Sequence, residues 1–520
     1  MSKAELFVPQ PERLGPREAC GITAVFSKTG DKNISTMTPC LQNELQHRGF
    51  DQAGIAVWNN GKINVHVGQG KVLEVFPKNF PFEEKGLVGD RAIGHNRYGT
   101  SGGDNKDDTR GAQPAIGEYE GRRLALAYNG NLPDEMRQKL KLRIPEELRN
   151  SMFDTEDIAN AIVSAEREAW EEKIKNALSG IELAYSVTLL TDDGRVFGLR
   201  GPSGTWPLWY GETDNKIIFV SETRAYQDEN IEWQEVKPGE LVEATSNGVV
   251  KRKIFEERTP LSRCSLHDVY GAKEDSLMTE GIAYAVFRKE LGRELAREHP
   301  LVDVDLIVGV PNTGLVMAQG YAEEFGRKST VLIEKNEENK ESEYRGFIAK
   351  NVEETIRIVS KKYKIPNPEL ARDQTLLLID DSLIRGKTMG GDPKKGLKGV
   401  VGFVRDAGAK EVHLAVVLPK FVNECDMGYY IRRDQLVALV RDENGNYKEL
   451  SEQDIASIIG ADSVHFLSVD GVKRAYEKIF EQKGVACMAC IGQPHPLDVI
   501  KDKNNGLKKK EAVVYSNSGD

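Results

Sequence analysis

The sequence predicts a two-part fold: an α+β half built on antiparallel sheets with helices, followed by an α/β half with a mainly parallel sheet. Three observations predict it. From residue 20 to about 258, short apolar runs are broken by Gly, Asn and Asp, as in GIAVWNNGKINVHVG, LAYSVTLLTDDGRVFGLRG and NKIIFVSE. Runs of about five residues separated by such turn pairs are hairpin signals. From about 259 the rhythm becomes strand, helix, strand, with continuous apolar runs at 304–310, 329–335, 375–381 and 411–418. Such runs fit parallel strands covered on both faces. The length of 520 residues, with 39% hydrophobic and 29% charged content, fits two to four soluble domains.

Helical patterns sit between these strands. DTEDIANAIVSAEREAW (154–170) reads as one helix that Asp154 or Thr155 caps, and TEGIAYAVFRKELGRELARE (279–298) as a long one. LVMAQGYAEEFG follows the first apolar strand of the second half. The boundary between halves is expected near 259–262, and there is no internal repeat.

Composition excludes several classes. No run of about 18 apolar residues exists, so no transmembrane helix and no membrane partner are expected. The first twenty residues lack the apolar core of a secretory signal, so a cytoplasmic location is the expectation. A net charge of −10 argues against nucleic-acid binding, and the lone basic cluster Lys508–Lys510 reads as a solvated tail. Six cysteines are too sparse for a disulfide scaffold and read as metal ligands, a nucleophile or inert core residues.

Cys20-Gly21 alone says little, since most such cysteines are small core residues. The surrounding motifs change the reading: LQHRGFDQAG (45–54), GHNRYGTSG (94–102), GAQP (111–114) and YNGNL (128–132). Together they resemble the glutamine amidotransferase domain of the N-terminal-nucleophile class. A thiolate that attacks an amide needs a base within hydrogen-bond reach. A free α-amine, with a pKa of roughly 7.7–8.0, can be that base on the same residue once the preceding peptide bond is gone. Residues 1–19 are therefore expected to be a propeptide; the alternative is a tail that leaves Cys20 capped. The resemblance implies that Cys20 is the nucleophile and that Asn129 and Gly130 form the oxyanion hole. It implies that Arg97 pairs with the glutamine carboxylate, Asp154 with its amine, and that Arg48 lies near the nucleophile. Departures are Ala24 for a common Gly, Tyr128 for a frequent His and Trp206 for an expected Arg.

LLLIDDSLIRGKTMGG (376–391) gives strand, loop and helix in order. In an open parallel sheet, ligands sit beyond the carboxyl ends of strands. Asp380 and Asp381 there suit ribose hydroxyls or a magnesium ion, and Arg385 to Thr388 offer N–H groups and a hydroxyl for a phosphate. The pattern resembles phosphoribosyltransferases that use phosphoribosyl diphosphate. The resemblance implies substrate contacts from Asp380, Asp381, Ser382, Arg385, Gly386, Lys387 and Thr388. A second loop, Pro311-Asn312-Thr313-Gly314, resembles the diphosphate-side loop, with Asn312 for the usual Asp and Asn312, Thr313 and Gly314 as contacts. Magnesium is implied at Thr313, Asp380 and Asp381. The segment 334–351 stands where relatives carry a closing loop; Lys335, Asn336, Tyr344, Arg345 and Phe347 echo it. Glu337, Glu338, Glu341 and Glu343 make it unusually acidic.

Cys487 and Cys490 form a C-x2-C pair, with Cys264 and Cys425 upstream. Four thiolates suit a [4Fe–4S] cluster, and zinc also accepts four cysteines. All four positions match cluster-holding segments in one branch of the glutamine phosphoribosyldiphosphate amidotransferases. Cys40 matches no ligand and reads as an inert core residue.

The resemblance to that family runs from Cys20 to about residue 500. It implies a 1–19 propeptide and a 20–258 class II glutaminase domain of Ntn-hydrolase type. It also implies a 259–520 type I phosphoribosyltransferase domain carrying the cluster ligands. The implied reaction transfers ammonia from glutamine to phosphoribosyl diphosphate, giving 5-phosphoribosylamine, the first step of purine synthesis. Purine nucleotides as feedback inhibitors and a homotetramer follow from the same resemblance. Two rivals remain: a diverged paralogue with a different acceptor, and a non-catalytic nucleotide-binding regulator.

Overall fold

The computed structural model describes residues 20–97, 109, 111–181, 184–256, 263–336, 362–392, 397–425, 429, 431–480 and 486–494. The expectations for the propeptide, the 259–262 boundary, Tyr344, Arg345, Phe347, the four interspersed glutamates and the Lys508–Lys510 tail lie outside these residues.

The first half is two antiparallel sheets face to face. One has seven strands in the spatial order Glu232–Glu235, Trp209–Glu212, Lys216–Val220, Gly21–Ser27, Arg91–Arg97, Gln52–Asn59, Lys62–Gln69. The other has six: Gly248–Lys253, Glu240–Thr245, Val196–Arg200, Tyr185–Thr191, Arg122–Gly130, Ala115–Tyr119. Successive strand residues point to opposite faces, and the apolar pattern obeys this. Ala125 and Ala127 pack between the sheets with Ile22, Ala24 and Phe219. Leu124 and Leu126 face outward onto Ile158, Ile162 and Trp170 of the helices Asp154–Ser164 and Trp170–Leu178. The helix Thr38–Glu44 covers the outer face of the first sheet through Leu41. The layers are thus helix, sheet, sheet, helix.

The second half has a four-stranded parallel sheet in the order Leu306–Gly309, Thr375–Asp380, Glu411–Val416, Ser463–Phe466. Leu377 and Ile379 face the helices Tyr284–Glu298, Thr313–Glu324 and Val469–Ile479. Leu376 and Leu378 face Val400–Asp406 and Glu452–Ile459. Both faces are covered, which is why these strands read as unbroken apolar runs. Trp206 of the first half is 1% exposed and joins the core of the second, edge-on to His267 with ring centroids 5.4 Å apart. No helix among the described residues is long and apolar enough to cross a membrane.

Several expectations are corrected. The 154–170 helix stops at Ser164, and a second starts at Trp170. Phe153 holds the N-cap position without a side-chain bond; Asp154 is the first helical residue. The 279–298 helix begins only at Tyr284, because Glu280 and Gly281 take left-handed φ of 65° and 74°. The run 329–335 is no full sheet strand: Thr330 makes one bridge to Val308, Val331 is 63% exposed, and Glu334–Lys335 pairs with Tyr363–Lys364 instead. The strand Ser463–Phe466 was not singled out from sequence because it is short and interrupted by His465. Cys40 is exposed, since its helix buries the neighbouring Pro39 and Leu41.

Candidate active sites

Cys20 lies at the start of the strand Gly21–Ser27, half-buried between two motif segments. The register that pairs Gly21 with Asn96 brings Arg97 alongside it. Arg97 is 6% exposed, donates from Nη1 to Gln52 Oε1 at 2.7 Å and lies over the Phe153 ring. Arg48 Nε donates to the Cys20 carbonyl at 3.1 Å. Asn129 and Gly130 end the neighbouring-sheet strand Arg122–Gly130. Asn129 is 1% exposed, and its Nδ2 has no acceptor among the described residues. A buried donor without a partner carries a desolvation cost that an incoming oxyanion relieves. Gly130 admits no side chain: a Cβ would stand 2.7 Å from the Tyr128 ring and the Ala184 carbonyl.

Asp154 is buried at the start of its helix. Burial raises its pKa, against the opposing pull of N–H groups from Leu132 and Thr155 and of the charges on Arg137 and Arg97. A buried carboxylate near Arg97 is suited to an incoming ammonium group. Tyr128 is fully enclosed, and burial and then the negative charges of Asp154 and, further, Cys20 raise its pKa. Its hydroxyl has no hydrogen-bond partner among the described residues.

Sequence reasoning missed two partners here. Glu222 Oε1 accepts from Arg48 Nη1 at 2.6 Å and from His47 Nε2 at 2.9 Å. Burial pushes the Glu222 carboxyl up, but His47 and Arg48 overcome this and hold it well below its ordinary value. The only local signal was an acidic residue at the end of an apolar strand in NKIIFVSE.

The second candidate site sits at the carboxyl ends of the parallel strands. Asp380 ends the strand Thr375–Asp380, Asp381 follows it, and they are 9% and 8% exposed. Burial, then the Asp381 charge, raises the Asp380 pKa. Two carboxylates this close favour a cation or hydroxyl donors between them. Ser382 Oγ donates to Asp381 at 2.7 Å, and Arg385 is held by Gln435. Gly386, in a left-handed conformation, precedes the short helix Lys387–Gly390 that contains Thr388. Asn312, Thr313 and Gly314 start the helix Thr313–Glu324, after a cis Pro311–Asn312 bond. A Cβ on Gly314 would stand 2.4 Å from the Ile379 carbonyl, so only glycine lets the two loops meet. Tyr363, also missed from sequence, bridges them: its hydroxyl donates to the Pro311 carbonyl at 3.2 Å beside the two carboxylates.

The four cysteines gather at a third place. Cys264 and Cys487 are register partners in a short parallel pair. Cys425 bridges Ile431, and the Cys490 carbonyl accepts from Val422 and Asn423. None of the four forms a disulfide among the described residues. Burial first, then the other cysteines, pushes up the pKa of Cys264 and Cys490, and that of Cys487 to about 12. Among the described residues, no three His, Cys, Asp or Glu side chains converge tightly on a single ion.

Comparison with known proteins identifies relatives of the whole chain. A family model described as a glutamine amidotransferase domain matches residues 100–228. The amidophosphoribosyltransferase of Synechococcus elongatus is 30% identical over 98% of this chain and 97% of its own. That of Methanocaldococcus jannaschii is 31% identical over 93% of this chain and 99% of its own. A glutamine phosphoribosylpyrophosphate amidotransferase from Bacillus subtilis, solved with ADP and GMP, superposes with a TM-score of 0.75. It is 28% identical, and the match covers 93% of this chain and 98% of that one.

Proposed function

The chain belongs to the amidophosphoribosyltransferase family, and on that premise we propose how its own residues perform the reaction. The reaction is glutamine-dependent transfer of ammonia to phosphoribosyl diphosphate, giving 5-phosphoribosylamine, glutamate and diphosphate. Removal of residues 1–19 frees the Cys20 α-amine, which takes the thiol proton. The thiolate then adds to the glutamine amide carbon, with Arg97 and Asp154 gripping the carboxylate and amine. Asn129 Nδ2 and the Gly130 N–H meet the developing oxyanion, an arrangement worth about 2.7–4 kcal/mol per donor. Ammonia departs, and water cleaves the thioester to glutamate.

At the second site, Asn312, Thr313 and Gly314 hold the diphosphate and Arg385 to Thr388 the 5-phosphate. Asp380 and Asp381 hold the ribose hydroxyls. Ammonia reaching the sugar bonds to its anomeric carbon as diphosphate leaves. The pair of buried carboxylates fits magnesium, which would bind at Thr313, Asp380 and Asp381 and neutralise the diphosphate charge. The all-thiol chemistry of Cys264, Cys425, Cys487 and Cys490 suits a [4Fe–4S] cluster, which these four residues would hold through their thiolates. The group would tie three distant segments together. Purine nucleotides as inhibitors, a homotetramer and a cytoplasmic location complete the reading.

The observation that carries it is the buried Asn129 Nδ2, without an acceptor among the described residues, on a strand ending beside the Cys20 region, in a chain with a separate two-Asp strand end. The test is glutamate release from glutamine by anaerobically purified protein, with and without phosphoribosyl diphosphate and magnesium. Strong stimulation supports two coupled sites. Equal rates point to an uncoupled glutaminase, and no glutamate from the processed protein points to a regulator.

A further inference from the structure

Hydrogen bonds run without a gap from the nucleophile's backbone into the second half. Arg48 donates from Nε to the Cys20 carbonyl at 3.1 Å and from Nη1 to Glu222 Oε1 at 2.6 Å. The other Glu222 oxygen, Oε2, accepts from the Lys273 backbone N–H at 2.9 Å and from Ser276 Oγ at 3.3 Å. The carbonyl of that same Ala272–Lys273 peptide accepts from Arg288 Nη2 at 2.7 Å. Arg288 sits on the helix Tyr284–Glu298, is 3% exposed, and lies within electrostatic reach of both Glu222 and Asp381. Adjacent residues reinforce the path. Ile22 N–H donates to Ser221 Oγ at 3.0 Å, and Thr223 Oγ1 accepts from Leu277 N–H at 2.9 Å.

Arg48, Glu222, Ser276 and Arg288 are buried and Cys20 and Lys273 partly so, and each group is polarised by the next, so a shift at one end is costly to absorb locally. The path joins the strand that follows Cys20 to the helix that carries Arg288, whose guanidinium feels the charge of Asp381. Hydrogen-bond networks of this kind carry coupling between sites when both ends have two arrangements.

We propose that Glu222 is a positioning residue that couples the two sites: through Arg48 it fixes the Cys20 backbone according to the state of the segment 272–277 and Arg288. The proposal rests on the two-site reading above. It makes glutamine hydrolysis responsive to phosphoribosyl diphosphate, while the chemistry of the second site itself does not depend on Glu222.

The test compares the full-length processed protein with Glu222→Gln and with the shape-preserving Thr223→Val, which removes the acceptor for Leu277. Three rates are measured for each: basal glutaminase, glutaminase with phosphoribosyl diphosphate and magnesium, and phosphoribosylamine formation from ammonium. Both variants are expected to lower the stimulation ratio by at least about fivefold while the ammonium-dependent rate stays within about twofold. An unchanged ratio in Glu222→Gln overturns the proposal. So does a parallel fall of the ammonium- and glutamine-dependent rates in both variants, which marks a merely structural contact. Failure of the unsubstituted protein to show any stimulation overturns the two-site reading instead, and the two failures are therefore separate.

Discussion

Arg48, 2% exposed, donates to the carbonyl oxygen of Cys20 at 3.1 Å, so the Cys20 backbone is anchored by a side chain that is itself locked in an ion pair. In the proposed reaction the thiol works with its own α-amine and with substrate, and its chemistry stays in the first half of the chain.

Cys20→Ala is therefore expected to abolish glutamine-dependent turnover and to spare ammonium-dependent turnover. Both rates are measured on the same folded sample. Loss of both would contradict a division of labour between two sites.

Asn129→Ala removes the buried Nδ2 donor that has no acceptor among the described residues. The expected result is a fall of about 10²–10³-fold in the glutaminase kcat, with a much smaller change in glutamine KM. A KM effect alone would make Asn129 a ground-state contact instead.

Asp381→Asn leaves the fold of the strand end intact but removes one of two crowded carboxylates. It is expected to raise the phosphoribosyl diphosphate and magnesium needed for half-maximal rate, with basal glutaminase unchanged. Titration calorimetry showing unaltered binding would remove Asp381 from the ribose and metal roles.

Cys487→Ser is expected to lower iron and sulfide content and the visible absorbance of anaerobically purified protein, and to reduce thermal stability. Cys40→Ser, on an exposed helix face, serves as the control and leaves all three unchanged. Zinc without iron in the purified protein would replace the cluster with the alternative all-thiolate site.

The Glu222 carboxyl is held below its ordinary value, so its ion pairs stabilise the fold above an unfolded pKa of about 4.3 and lose this as pH falls through the folded value. Glu222→Gln is thus expected to be less stable than the unsubstituted protein at pH 7, by about 3 kcal/mol. The gap should begin to shrink as pH falls below about 4.3 and continue to do so toward the lower folded value. Denaturant midpoints across pH 3–7 would measure it, and a gap independent of pH would assign the loss to packing.

The sequence by itself determined the two halves, the hairpins, the apolar parallel strands and the motif residues, because each is written in local periodicity or in a short contiguous pattern. Cys20, Asp380 and the Cys487/Cys490 pair were legible in this way. It misjudged Cys40 and the ends of the 154–170 and 279–298 helices, where burial and backbone φ decide rather than residue type. Only the tertiary structure decided that Glu222 would meet Arg48, 174 positions away, and that Tyr363 would reach Pro311. It alone seated Trp206 in the core of the other half. Such contacts depend on how separate sheets and helices stack. Each residue's neighbours in the chain specify its strand or helix, but its partners across a layer are set by the packing of the whole.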